Sequence, residues 1–298
     1  MIGKIKFEDL PGFSKLFIKQ ISEIPTGSNL FIFPKSNNSI ESIISELSGF
    51  FIDEQLIELL SKVNKPLKMS NEQRDNLKLL NSANTFFCTA TFKPSFLGGS
   101  SNVILKIISV FIQSEFLKSR FKSCNFIPLI WLDDDTHDNL ESSLANIYTK
   151  DGEIIRMPCC FNASKSDRTV IHQRIFNNDI PRIIDEVISL LPESDVKERT
   201  EIMLKNAYQQ GRSWSFSSAY FLNSIFKYLG ILFLFTSKVR KGGLFNNLTA
   251  KEISERGKTY ELLKERQLHF KKYHIEIPDK SQQYNLNIHK GEIVEKCE

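Results

Sequence analysis

Residues 85–132, TFFCTATFKPSFLGGSSNVILKIISVFIQSEFLKSRFKSCNFIPLIWL, hold two short apolar runs separated by a glycine-containing loop and a long periodic segment. The first run, TFFCTAT at 85–91, is rich in aromatic and β-branched residues, and the second, at 126–132, is apolar throughout. Both have strand length, whereas residues 103–120 between them suit a helix. Strand, loop, helix and strand in this order make a βαβ unit, whose two strands run parallel with a right-handed crossover in nearly every case. Neither run alternates apolar with polar residues, as burial on both faces by helices requires. The expected fold is therefore α/β, a Rossmann-like, doubly wound, mostly parallel sheet with helical N-terminal and C-terminal additions.

Outward from this unit the texture changes on both sides. The first eighty positions read as amphipathic helices, for instance SIESIISEL at 39–47, with LFIF at 30–33 as a short edge strand. Downstream, residues 154–161 read as a further strand, DIPRIIDEVISLL at 179–191 as a helix, and 215–228 as an aromatic-rich helix leading to the strand ILFLF at 231–235. The expected division is 1–80 as a helical part packing on the core, 81–240 as the Rossmann-like core, and 241–298 as a helical and irregular extension. In that extension TAKE at 249–252 has a capping-box pattern for a helix start, and Gly257 argues against one unbroken helix.

The 298 residues are 41% hydrophobic and 25% charged, an ordinary globular composition. No apolar run approaches the roughly 20 residues that a membrane helix needs, and charges are spread through the N-terminal segment MIGKIKFEDLPGFSKLFIKQ. Five cysteines without CxxC or paired Cys/His spacing suggest neither a disulfide framework nor a zinc site, and no metal site is expected. A reducing cytoplasm fits, and the adjacent Cys159 and Cys160 read as packing residues. Residues 238–272 carry ten Lys and Arg against four Glu. Their mixed charges read as a solvated helix face, which disfavours nucleic acid as a partner.

Two loops are placed where open parallel sheets bind ligands, beyond the carboxyl ends of strands. Gly98, Gly99, Ser100 and Ser101 directly precede a helix, so free backbone amides there could hold an anion, although a serine-capped glycine turn is commonly only a helix start. The second loop closes the stretch PLIWLDDDTHD at 128–138. Carboxylates flanking a histidine favour the imidazolium and suit acid/base work by His137. A divalent-ion site and a plain polar connection are the alternatives for the same residues.

The order of these features resembles the bacillithiol-biosynthesis cysteine-adding enzyme family, BshC. That family carries a TGQQ-type loop, a GGPLY-like helix start with a lysine downstream, and a PVFW…EDHD segment. The counterparts here are the strand end at Thr91, the glycine loop with Lys106, and PLIWLDDDTHD, followed by AYQQGRS at 207–213. The resemblance covers roughly residues 71–291. It implies a Rossmann-like cytoplasmic enzyme that joins cysteine to glucosaminyl malate, with ATP or another nucleotide as the unassigned energy source. By position it implies His137, Asp138 and Asp135 as catalytic residues, and Gly98, Gly99, Ser100, Lys106 and Thr91 as substrate-binding residues, with Asp133 and Asp134 left as solvated or capping groups. Where the family has Gly-Gln-Gln this chain has Thr91, Phe92 and Lys93, and Asp135 and Thr136 replace a Glu and an Asp. An alternative role is a catalytically degenerate or half-length subunit that pairs with a separate chain supplying a C-terminal part, or with a second copy of itself.

Overall fold

The computed structural model describes residues 9, 11–12, 18, 37–137, 142–160, 169–255, 257–272, 286–289 and 292–295. The strand expected at 30–33 lies outside them. The chain forms two compact units, one of residues 49–246 with 297–298, the other of residues 1–48 with 247–296.

The larger unit holds the sheet. Strand β1 (Thr85–Phe92) pairs in parallel with β2 (Asn125–Leu132), and β2 pairs in parallel with β5 (Leu232–Phe235). The spatial order is β1-β2-β5. Helix α4 (Ser101–Arg120) connects β1 to β2 and packs on both, so the βαβ reading of 85–132 holds element by element. The strand expected at 154–161 forms as β4 (Ile154–Pro158), in an antiparallel hairpin with β3 (Leu144–Tyr148) and not in the parallel sheet.

Burial follows the apolar runs. Ile127, Leu129, Leu232 and Leu234 form one cluster with Leu60 of α2 (Glu54–Asn64) and with Leu80, which ends α3 (Asn71–Leu79). Their neighbours Phe126, Ile130, Leu132 and Phe233 are buried as well, so both faces of β2 and β5 are covered. The helices begin where side chains can satisfy their free amides: Asp53 caps α2, and Ser70 with Gln73 forms a reciprocal capping box on α3.

The outer edge of β5 is closed by amide side chains. Asn64 donates to the Phe233 carbonyl and accepts from its N–H, both at 2.8 Å, as a further strand would. Gln73 and Asn76 donate to the carbonyls of Ile231 and Gly230. Every exposed edge group invites pairing with another chain, and these amides remove that invitation at β5.

Beyond the hairpin come α5 (Ile180–Leu190), α6 (Lys197–Ala207) and α7 (Trp214–Phe226), then β5 and the short α8 (Thr236–Lys241). In the second unit lie α1 (Asn37–Glu46), most of α9 (Asn246–Ser254), α10 (Lys258–Lys271) and the hairpin of β6 (Leu286–His289) and β7 (Glu292–Glu295). The capping pattern at Thr249 does not start a helix. The chain turns at Gly243, φ +76°, and re-enters helix at Asn246, which leaves Thr249 inside the first turn. The break at Gly257 is real, with φ +85° separating α9 from α10.

Candidate active site

Register places the carboxyl ends of the strands side by side, since Phe92 pairs with Leu132 and Leu132 with Phe235. The residues after β2 and β5 therefore leave the sheet together. Two distant segments are then stitched on by backbone hydrogen bonds. His172 N–H donates to Asp134 O at 2.9 Å and Ile171 N–H to Thr136 O at 3.0 Å, which docks the turn Ile171–Gln173 on the acidic loop. Trp214 N–H donates to Arg174 O and Phe176 N–H to Arg212 O, each at 3.0 Å, which brings the start of α7 alongside.

These segments enclose a cleft of about 580 Å³. Its polar lining includes Asp134, His172, Ser213, Ser215 and Ser237, with Lys62, Arg212, Lys238 and Lys241 as its cations. Four cations against one lining carboxylate make the cleft favourable to an anionic ligand.

Asp134 is only 1% exposed. Its carboxylate accepts from the Ser237 backbone N–H at 2.8 Å and from the Ser237 hydroxyl at 2.7 Å. Burial raises its pKa above the ordinary aspartate value, and those two bonds oppose the rise without cancelling it. Asp133 is raised too, by burial first and then by the charge of Asp134. Asp134 thus does cap a helix, but the cap acts on α8, far along the chain, and the side chain is not solvated.

Asp135 is clamped from two sides. The Arg240 guanidinium binds its carboxylate through Nε, and His172 Nδ1 lies 3.3 Å from Oδ1. Arg240 is itself held over the Phe245 ring, which stacks on Trp131 of β2 with 11° between planes. His172 Nδ1 also lies 3.2 Å from the carbonyl oxygen of Asp134. A carbonyl can only accept, so Nδ1 carries the hydrogen. His172 Nε2 is buried and has no hydrogen-bond partner among the described residues.

Of the residues singled out in the sequence, Asp135 belongs to this cluster. His137 is half-buried on the same loop outside the cleft lining, and Asp138 lies outside the described residues. Two of the others meet at the end of β1. Lys106 Nζ donates to the Thr91 carbonyl at 3.1 Å, and the Thr91 hydroxyl donates to the Trp131 carbonyl at 2.9 Å. The amides of Gly98 and Gly99 are not free for an anion, because they donate to the carbonyls of Ser95 and Phe96 within a tight turn. A Cβ on Gly98 would stand 3.1 Å from the Phe221 ring, and one on Gly99 2.9 Å from Ser95, so close packing explains both glycines. Ser100 precedes α4 without a side-chain capping bond. His172 carried no sequence signal beyond a lone histidine in VIHQR, since backbone pairing with a remote loop places it.

Among the described residues no cluster of three His, Cys, Asp or Glu is arranged to hold a metal ion, and no helix is long and apolar enough to cross a membrane.

Comparison with known proteins agrees with this architecture. The family described as bacillithiol biosynthesis BshC, N-terminal Rossmann-like domain, matches residues 2–296. Several curated relatives bear the name "Putative cysteine ligase BshC", among them the following three. That of Flavobacterium johnsoniae is 30% identical over 151 residues, 49% of this chain and 28% of the relative. That of Chlorobaculum tepidum is 21% identical over 248 residues, 81% of this chain and 44% of the relative. That of Prosthecochloris aestuarii is 25% identical over 207 residues, 67% of this chain and 36% of the relative. The chain thus spans less than half the length of these relatives.

Proposed function

The chain belongs to the BshC family of bacillithiol biosynthesis by its N-terminal Rossmann-like domain, and from that premise we propose that its cleft is the site of an amide-forming ligation of the cysteine ligase type. The substrates are cysteine and glucosaminyl malate. Support comes above all from one observation: Asp134 and His172, the latter in contact with Asp135, line a cleft at the carboxyl ends of the parallel strands whose other charges are cationic. Ligation needs an acyl carbon held still, an amine relieved of a proton and an anionic leaving group stabilised. Lys62, Lys238, Lys241 and Arg212 supply positive charge that attracts and holds anionic substrates. Asp135 with His137 and Asp138 of the same loop form the acid/base segment by family position.

ATP or another nucleotide is the energy source in this reading, and the place of action is the cytoplasm, in keeping with the free thiols of Cys88, Cys124, Cys159 and Cys160. The second reading is a catalytically degenerate subunit that works together with a separate chain or with a second copy of itself, and it is favoured by Thr91, Phe92 and Lys93 standing where the family has Gly-Gln-Gln.

The test is to incubate the protein with cysteine, glucosaminyl malate and ATP, alone and together with the C-terminal part of a longer relative. Mass spectrometry looks for the condensed thiol. Product from the chain alone supports the first reading, and product only in the mixture supports the second. Absence of product in both refutes the ligation reading for this substrate pair.

A further inference from the structure

Nε2 of His172 is enclosed, yet it has no hydrogen-bond partner among the described residues. A buried polar atom left unpaired is costly, and among those of the described residues His172 Nε2 belongs to a titratable ring that lines the cleft. The rest of the ring is held firmly. Nδ1–H points to both the Asp134 carbonyl and the Asp135 carboxylate, at 3.2 and 3.3 Å, and the backbone N–H of His172 donates to the same carbonyl. With the hydrogen fixed on Nδ1, the neutral ring presents a lone pair at Nε2. Asp135 in turn is oriented by Arg240. A base oriented by a carboxylate, itself oriented by a third group, is the arrangement that acid/base and nucleophile-activating sites share. The same imidazole lines the cleft.

We propose that His172 Nε2 is the proton acceptor of the cleft, with Asp135 as its positioning residue. The inference rests on the reading of the cleft as the ligation site. As the amine nitrogen attacks an acyl carbon bearing a phosphate-class leaving group, the C–N bond forms and the C–O bond to that phosphate breaks, its electron pair leaving on oxygen. The proton lost by the amine passes to Nε2, and Asp135 stabilises the imidazolium that results. The substrate amine thereby supplies the partner that the resting chain withholds from Nε2. Of the charged groups, Asp135 faces the ring directly and is itself bound by Arg240, while Asp134, Lys62, Arg212, Lys238 and Lys241 line the same cleft. His137 shares the acidic loop but not the cleft lining, so the two histidines make separable claims.

The test uses the 298-residue chain labelled with ¹⁵N-histidine, as wild type and as His172→Gln. Glutamine keeps the polarity and approximate reach of the imidazole but takes up no proton. Two readouts are collected: the nitrogen shifts of His172 on adding glucosaminyl malate or cysteine, and turnover in the condensation assay. The expected result is a resonance assigned to unprotonated Nε2 that moves on saturation with the amine substrate. In the variant, kcat falls about 100-fold or more, the usual scale for loss of a general base, while KM stays within about threefold and thermal unfolding remains cooperative.

A folded His172→Gln protein that turns over within threefold of wild type would overturn the proposal. So would a resting His172 carrying its hydrogen on Nε2, or an Nε2 shift that ignores saturating amine. If the wild type makes no product, the ligation reading fails while the tautomer and the ligand response still decide the role of Nε2.

Discussion

Asp134 and Ser237, 103 positions apart, are joined twice, through the Ser237 backbone N–H and through its hydroxyl. The pair links the end of β2 to the first turn of α8 and so fixes the floor of the cleft to the sheet. Because burial raises the Asp134 pKa, the folded chain holds that proton more tightly than the unfolded chain does. The favourable contribution is then full below the unfolded aspartate value of about 3.9 and is lost as pH rises through the folded value.

Asp134→Asn removes the buried charge and keeps an acceptor for the N–H, while its amide can donate to the Ser237 hydroxyl. It should match or exceed wild type in stability at pH 7, with the difference shrinking as pH approaches 4. Asp134→Ala instead leaves the Ser237 N–H unmatched and should cost about 1–2 kcal/mol. Urea unfolding of the three proteins across pH decides this. An Asn variant weaker than wild type by the same amount at every pH would refute it.

Asn64 closes the β5 edge with two bonds to one residue. Asn64→Ala leaves the buried N–H and carbonyl of Phe233 unpaired, and a loss of about 2–4 kcal/mol is expected from the two groups together. The midpoint of urea unfolding should fall with little change in slope. A drop below about 0.5 kcal/mol, within the range of ordinary surface substitutions, would show that the edge does not depend on this amide.

Gly98 and Gly211 both have positive φ, +84° and +78°, but only Gly98 has a close neighbour, the Phe221 ring at 3.1 Å. An alanine at either site bears the backbone strain, roughly 1 kcal/mol. Gly98→Ala bears the collision as well and should be the more destabilising by about 1 kcal/mol or more. Phe221→Leu in the Gly98→Ala background should recover part of that excess. Equal losses at the two glycines would remove the packing explanation for Gly98.

The βαβ unit could be read from 85–132 because burial on two faces leaves a continuous apolar run, which composition alone reveals. The edge closure could not, since Asn64, Gln73 and Asn76 look like polar helix positions until β5 is beside them. The glycine loop was legible as a turn before a helix, but not the fate of its amides: whether an amide is free depends on where Gly98 and Gly99 donate, not on their being glycine. For the acidic loop, sequence placed the cluster at a strand end, where the structure has it. The burial of Asp134 was not legible, because its partner Ser237 arrives on a helix 103 positions further along. His172 was silent for the same reason, its position being fixed by backbone bonds to residues 134 and 136.

The two best-placed thiols should react in opposite ways. Cys160 is lowered to about 7, first by the hydrogen bond from the Cys159 thiol, whereas burial pushes Cys88 up to about 11. The thiolate is the reactive form, so iodoacetamide should modify Cys160 first, at a rate that climbs through pH 7 and flattens above about pH 8. Cys88 should stay unmodified until the chain unfolds. Peptide mass spectrometry over a pH series measures both, and Cys88 reacting ahead of Cys160 would contradict the expectation.

The cationic lining of the cleft gives the last expectation. Lys62, Lys238 and Lys241 line it from two elements, α2 and α8, whereas Lys78 sits on the exposed surface paired with Asp75. If the lysines attract and hold an anionic substrate without moving protons, their loss weakens binding and spares the chemistry. Lys238→Gln with Lys241→Gln should therefore raise KM about tenfold, equivalent to about 1.4 kcal/mol, and leave kcat within about threefold. Lys78→Gln should change neither. Because exposed charges are screened over about 8–10 Å at physiological salt, the wild-type KM should rise with ionic strength and that of the double variant should rise less. A double variant that loses kcat at unchanged KM would mean that these lysines act on the transition state, and the cleft would need a different division of roles.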